Sequence, residues 1–223
     1  NNTQPWTVLP IVAHEITHGL THYTAGLIYQ SESGALNESF SDIFGATIDF
    51  TTRPSQADWL IGDEVLGTAF RNMSDPNSVS HPNTYLGNFW ADTLGSDAGG
   101  VHTNSSIQNL WYVLLTEGGV GINDNGDAFS VDSIGLLNAS KIAFRNLTVY
   151  LTPSSGFYDA RFYSIQSTID IFGDFSLEHE AVTNAWHAVG VGDKFNRYVV
   201  IPDNNFENYL EANSMGDGVY LND

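Results

Sequence analysis

The chain contains no cysteine. Disulfides are excluded, and so are thiolate metal ligands, so any metal site must be built from His, Asp or Glu. Basic residues are scarce. Lys and Arg number 7 against 26 Asp and Glu, for a formal net charge of −19. So acidic a chain repels phosphate backbones, which argues against a nucleic-acid partner. It favours solubility and hard cations, which take clustered carboxylates. No apolar run approaches the roughly 18 residues of a membrane-spanning helix. Alternating strand patterns are also few. What is present is 42 % hydrophobic and 13 % aromatic over 223 residues, enough for one sizeable core.

The segment His14-Glu15-Ile16-Thr17-His18 reads H-E-x-x-H. Residues four apart on an α-helix share a face, so His14 and His18 can aim their imidazoles at one point. A zinc ion needs that convergence, with N–Zn distances of about 2.0–2.1 Å. Glu15 lies beside the same face and can reach a water held by the metal. Ile11, Val12, Ile16, Leu20 and Tyr23 make the segment helical and apolar. A buried helix carrying two histidines and a glutamate needs partners for them.

A catalytic zinc keeps three protein ligands and one open position. The stretch 34–45 offers a second helix, with Phe40, Ile43, Phe44 and Ile48 as its apolar stripe. Glu38 and Asp42 are four apart and share a face. Packed on the first helix, they could set Glu38 opposite the histidines and leave Asp42 to accept the other ring N–H of one of them. Taken alone, the two acids are equally a solvated helix face. His102 follows Gly99-Gly100 and precedes the apolar run 107–115. It could project into a cleft, or be an exposed loop histidine. Arg71 could serve a site or a surface ion pair.

Periodicity predicts helices near 8–24, 36–51, 104–117, 131–150, 158–172 and 177–189. Gly118-Gly119 and Gly190 are stops, Ser176 an N-cap, and 72–101 a loop. The fold class is therefore mostly α.

Together these residues resemble the thermolysin-like zinc metallopeptidases. The matching runs are H-E-I-T-H-G-L-T, Y-T-A-G-L-I-Y-Q and S-G-A-L-N-E-S-F-S-D-I-F-G. Glu38 follows His18 by 20 residues, the family's spacing for its glutamate ligand. Arg71-Asn72-Met73-Ser74-Asp75-Pro76 resembles the family's arginine segment. Asp97-Ala98-Gly99-Gly100-Val101-His102-Thr103-Asn104-Ser105 resembles its catalytic-histidine segment. The resemblance spans about residues 6–192 and implies a helical C-terminal zincin domain, H-E-x-x-H plus a distal Glu. It implies one catalytic zinc on His14, His18 and Glu38, with Glu15 taking a proton from the metal-bound water and passing it to the leaving amine. Asp42 would orient His14. Tyr29 and His102 would donate to the developing oxyanion, with Asp97 paired to His102. Arg71 and Asn37 would position the substrate backbone. Ile11 and Phe70 would line an apolar pocket for the residue after the scissile bond, which Phe70 narrows.

The resemblance also implies calcium. Asp49, Asp58, Asp63 and Glu64 match ligand positions, while Leu60 offers only its carbonyl and Pro10 stands where the family has an acid. One structural calcium is expected. The loop between Val65 and Arg71 is short, so the separate calcium site of that loop is expected to be missing.

The family sets its cleft between a strand-rich N-terminal half and this helical half. The start, Asn1-Asn2-Thr3-Gln4-Pro5, has no leader character, and we expect the chain to be trimmed at the front, with the missing half of the same polypeptide as a partner. The expected domains are 1–192, the helical peptidase unit, and 193–223, a linker and the start of a further module. A strand over 198–201 and a short helix beyond it resemble the opening of a leucine-rich-repeat module of secreted bacterial proteins. The expected function is a secreted bacterial zinc endopeptidase acting on peptide or protein substrates, with cell-surface association a further expectation. A non-catalytic, zinc-stabilised module of a surface adhesion protein and a zinc exopeptidase are the alternatives.

Overall fold

The computed structural model of the chain describes residues 7–197. Helix α1 spans Leu9–Tyr23, with Pro10 in its first turn, where a missing N–H leaves nothing unpaired. Its inner face carries Ile11, Ala13, His14, Thr17 and Thr21, while Val12, Ile16 and Tyr23 are exposed. Helix α2 spans Ser31–Thr52. The chain then forms β1 (Leu60–Ile61), a short α3 (Asp63–Leu66) and β2 (Arg71–Asn72). After a 3-10 turn at Pro76–Val79 come α4 (Ser96–Asn104) and α5 (Ser106–Glu117). Strands β3 (Gly119–Ile122) and β4 (Ala128–Val131) precede α6 (Gly135–Arg145), α7 (Phe157–Phe172) and α8 (Leu177–Ala188). The strands form two antiparallel ribbons, β1 with β2 and β3 with β4.

α2 is the axis of this arrangement. Every residue from Gly34 to Ile43 is buried, and the helix packs against α1, α4, α5, α6 and α7. A helix enclosed on all sides cannot be amphipathic, so its Asn37, Glu38, Ser39, Ser41 and Asp42 must find partners inside. Leu36, Phe40 and Ile43 of α2 join Trp111, Tyr112, Phe157 and Trp186 in the core. Trp111 and Trp186 stack with ring centroids 5.0 Å apart, tying α5 to α8.

The helices fall close to the periodicity, with instructive differences. α2 begins five residues before the predicted 36. Glu32 in its first turn accepts hydrogen bonds from the Tyr85 hydroxyl at 2.6 Å and the Phe157 amide at 3.0 Å. Those distant partners make a helix of a segment whose Ser and Gly read as a turn. The predicted helix 131–150 starts only at Gly135 and widens into a π turn at Asn146–Tyr150. The preceding hairpin was missed, although Asn125-Gly126 between its strands is hairpin-turn chemistry. Residues 193–197 stay docked on the body: Phe195 N–H donates to Asn184 Oδ1 and Arg197 pairs with Glu180. The expected strand 198–201 and the repeat-like segment after it lie outside the described residues. Among the described residues no helix is long and apolar enough to cross a membrane.

Candidate metal centre and cleft

α1 and α2 run antiparallel. Gly45 faces Pro10 and His14, while Asn37 and Ser41 face His18. A Cβ on Gly45 would stand 2.8 Å from the Pro10 carbonyl oxygen, closer than packed atoms approach. The glycine thus sets the spacing at which the two helices present their polar residues to each other.

Across that seam each imidazole is held from behind. His14 Nδ1–H donates to Asp42 Oδ1 at 2.8 Å, and His18 Nδ1–H to Asn37 Oδ1 at 2.8 Å. With both hydrogens on Nδ1, both Nε2 lone pairs point forward, 3.2 Å apart. Glu38 completes the group, its oxygens 3.6 Å from His14 Nε2 and 3.4 Å from His18 Nε2. Three ligands of a tetrahedral zinc at about 2.0–2.1 Å would lie roughly 3.3–3.4 Å from one another. Glu38 is 1 % exposed, and its Oε2 has no hydrogen-bond partner among the described residues. A buried carboxylate oxygen without a partner is costly, and two facing lone pairs repel. A cation between the three side chains relieves both. This is the one group of metal-ligating side chains among the described residues, and two imidazoles with a carboxylate suit zinc.

Asp42 is fully buried and more than a partner of His14. Arg71 donates to both its oxygens through Nε and Nη2, each at 2.7 Å, and Asn109 adds a bond at 2.8 Å. Burial alone would raise the Asp42 pKa. The Arg71 charge and the His14 hydrogen bond outweigh it and hold the carboxyl well below the ordinary carboxylate range. Asn109 is a residue that sequence reasoning missed. The available signal was a pair of amides, Gln108 and Asn109, at the head of the apolar run of α5.

The opposite wall carries Tyr29 and His102. The Tyr29 hydroxyl donates to Glu38 Oε1 and lies 3.2 Å from His102 Nε2. Burial, then the hydrogen bond and charge of Glu38, raise the Tyr29 pKa, so the phenol keeps its proton. His102 Nδ1–H donates to Asp97 Oδ1 at 2.6 Å, and the His102 amide to Asp97 Oδ2 at 3.0 Å. This double contact depends on an unusual backbone. Asp97, Ala98, Gly99 and Gly100 are all left-handed, with φ of 59°, 50°, 81° and 74°. The two glycines adopt it freely, while Asp97 and Ala98 do so at about 1–2 kcal/mol each.

A cleft of about 410 Å³ opens here, lined by Ile11, His14, Glu15, Glu38, Phe70, Arg71, His81 and His102. Glu15 is exposed on its rim. The Arg71 guanidinium lies 5.0 Å from the Phe70 ring centre. His81 is a lining residue that sequence reasoning did not find.

Two groups of expected site residues are engaged with other partners. Asn37 does not line the cleft: its amide is spent on His18 and on the Leu27 carbonyl, so it stands behind a histidine and not against a substrate. The expected calcium cluster is partly closed. Arg53 donates to Asp49 at 2.6 Å and to Glu64 at 2.7 and 3.2 Å, so one guanidinium already occupies both carboxylates and offsets one of their two charges. Asp58 accepts from the Leu60 amide at 2.9 Å. Burial and the neighbouring Asp58 charge raise the Asp63 pKa.

Comparison with known proteins bears on this arrangement. The family model of the thermolysin metallopeptidase alpha-helical domain matches residues 25–191. The thermostable neutral protease NprT of Geobacillus stearothermophilus is 43 % identical over 188 residues, covering 82 % of this chain and 33 % of that protein. A bacillolysin of Brevibacillus brevis is 44 % identical over 190 residues, with the same coverage of 82 % and 33 %. Among solved structures, the precursor of protealysin, a metalloproteinase from Serratia proteamaculans, superposes with a TM-score of 0.66 at 28 % identity, covering 84 % of this chain and 59 % of that one. The chain thus spans about a third of the length of the curated relatives it matches. On the family match and the helical architecture, the chain belongs to the thermolysin metallopeptidase family and carries its alpha-helical domain.

Proposed function

We propose that this chain is the zinc-bearing half of a secreted zinc endopeptidase that hydrolyses peptide bonds and prefers an apolar residue after the scissile bond. The observation that carries the reading is the convergence of the His14 and His18 Nε2 lone pairs, 3.2 Å apart, with the Glu38 carboxylate, whose Oε2 has no hydrogen bond among the described residues, beside a cleft. His14, His18 and Glu38 would hold the metal. Zinc bound there would supply a Lewis acid that polarises a carbonyl and lowers the pKa of a coordinated water.

The protein's own residues do the rest. Glu15, exposed on the cleft rim, accepts a proton from the attacking water and returns it to the leaving amine. Tyr29 O–H and His102 Nε2 aim at one region beside Glu38, where the carbonyl oxygen gains charge. Tyr29 donates there, and His102 donates when both of its ring nitrogens carry hydrogen, since Nδ1–H is given to Asp97. Asp97 fixes the His102 ring, and Asp42 fixes His14. Arg71, pinned by Asp42, orients the substrate backbone. Ile11 and Phe70 supply the apolar wall. A zinc that only stabilised the fold would need no Tyr29–His102–Asp97 relay on its open side, which favours catalysis over a non-catalytic adhesion module.

The preceding strand-rich half would cover the exposed Val12, Ile16 and Tyr23 of α1 and complete the cleft. For calcium, the same reading assigns Asp58, Asp63 and the Leu60 carbonyl, with Asp49 and Glu64 available only when Arg53 is displaced.

The test uses the full-length polypeptide and a blocked peptide. Glu15→Gln should keep stoichiometric zinc and lower kcat by about 10²–10⁴, the usual contribution of a general base. Wild-type activity in a zinc-loaded variant would remove Glu15 from this role.

A further inference from the structure

His81 lines the cleft beside Arg71, and nothing in the proposed hydrolysis uses it. Its placement is rigid. The His81 amide donates to the Pro76 carbonyl at 3.0 Å, and Ser80 before it is left-handed at φ 61°. Pro82 follows and restricts its backbone. The Pro82 carbonyl is in turn held by the Ser106 hydroxyl at 2.6 Å. The backbone that carries the imidazole beside the cleft is therefore held on both sides.

Its ring is also unsatisfied. His81 Nδ1 is shut off from solvent and has no hydrogen-bond partner among the described residues. An orphan acceptor is tolerated better than an orphan N–H, so Nδ1 carries the lone pair and Nε2 the hydrogen. Burial, and then the Arg71 charge, hold the ring below its ordinary pKa, while Asp42 and Asp97 pull it up and His102 pushes it down. The net direction leaves a neutral ring at neutral pH, with one N–H to give.

We infer that His81 determines specificity in this cleft: its Nε2–H donates to an acceptor at the tip of the substrate side chain that follows the scissile bond. The Ile11 and Phe70 walls would alone admit only aliphatic side chains. With His81 among the lining residues, the pocket also takes an amide-tipped side chain of the same shape. A site that hydrogen-bonds a substrate group discriminates against the analogue lacking it. This inference rests on the endopeptidase reading above.

Leu and Asn have nearly the same shape and differ in the acceptor at the tip, so two blocked peptides with Leu or Asn after the scissile bond make the test. The enzyme is the zinc-loaded full-length polypeptide, as wild type, His81→Leu and His81→Gln. The ratio of kcat/KM for the Asn peptide to that for the Leu peptide should fall about two- to tenfold in His81→Leu, the size of one neutral hydrogen bond. His81→Gln, which keeps an N–H donor, should restore most of the ratio. Equal ratios in wild type and His81→Leu, at equal zinc content and melting temperature, would overturn the assignment. So would a Gln variant no better than Leu. If the wild type cleaves neither peptide, the endopeptidase reading falls. Calorimetric affinities of the same peptides then decide on His81: a selective loss for the Asn peptide in His81→Leu supports it, and an equal change for both refutes it.

Discussion

Two carboxylate clusters lie along the same helix and are neutralised in opposite ways. Near the start of α2, Glu38 and Asp42 share one cation, Arg71, which is committed to Asp42 and stands 3.7 Å from Glu38. Glu38 Oε2 has no hydrogen bond among the described residues, and the two carboxylate oxygens face the Nε2 lone pairs of His14 and His18. Near the end of α2, Asp49 is closed by Arg53, one turn on, which also grips Glu64. In each cluster two acids share one guanidinium, but Arg71 hydrogen-bonds Asp42 alone and leaves Glu38 open to a metal, while Arg53 hydrogen-bonds both of its acids. Both looked alike as spaced acids, and only the position of the nearest guanidinium separates them.

The sharpest way to break the contrast is to remove the anchor of the first cluster. Asp42→Asn leaves Arg71 buried without its full counter-charge, at a cost of about 3–5 kcal/mol, read by denaturant unfolding. Zinc affinity should fall about 10–100-fold as His14 loses its carboxylate. The stability gap should depend on pH with a definite sign. The Asp42 pKa is depressed in the folded state, so its contribution is complete above the unfolded carboxylate value of about 3.9 and fades as pH falls below it. A gap that stayed constant from neutral pH to about 2 would show that the ion pair is not its source.

A smaller effect is expected midway between the clusters. Gly45→Ala places a Cβ against the Pro10 carbonyl, and overpacking of this kind costs about 1–3 kcal/mol. Because it pushes α1 from α2, zinc affinity should fall while the Arg53 pairs stay intact. Full stability and unchanged zinc binding would mean that the helix spacing is not limiting.

The smallest effect belongs to the closed cluster. Arg53→Ala should cost about 1–2 kcal/mol, since the pair is only partly buried. It should also free Asp49 and Glu64 beside Asp58 and Asp63. Calcium should then raise the melting temperature more in the variant than in the wild type, by mass action on the native state. An equal calcium response in both proteins would show that Arg53 does not stand in for an ion.

Much of the candidate metal centre was legible because it is local. His14 and His18, like Glu38 and Asp42, are paired by the four-residue spacing of a helix, and any helix over those residues puts each pair on one face. The mostly helical fold followed from the same periodicity. The hairpin was overlooked because its strands are 4 residues each, too short to show alternation. Its Asn-Gly turn was the only legible mark.

Tertiary structure decided which partners meet across long stretches of chain. It set Asn109 and Arg71 on Asp42, 67 and 29 residues away. It turned Asn37 to the back of His18 and gave Asp49 and Glu64 to Arg53. It brought His81 into the cleft and wound Asp97 and Ala98 into a left-handed turn that no propensity favours. The physical reason is one of range. Periodicity fixes which face of its own helix a side chain occupies, through bonds a few residues long. Which other element lies opposite that face, and whether a cation arrives from the protein or must come from outside, depends on the packing of a shared core, where small offsets decide every polar contact.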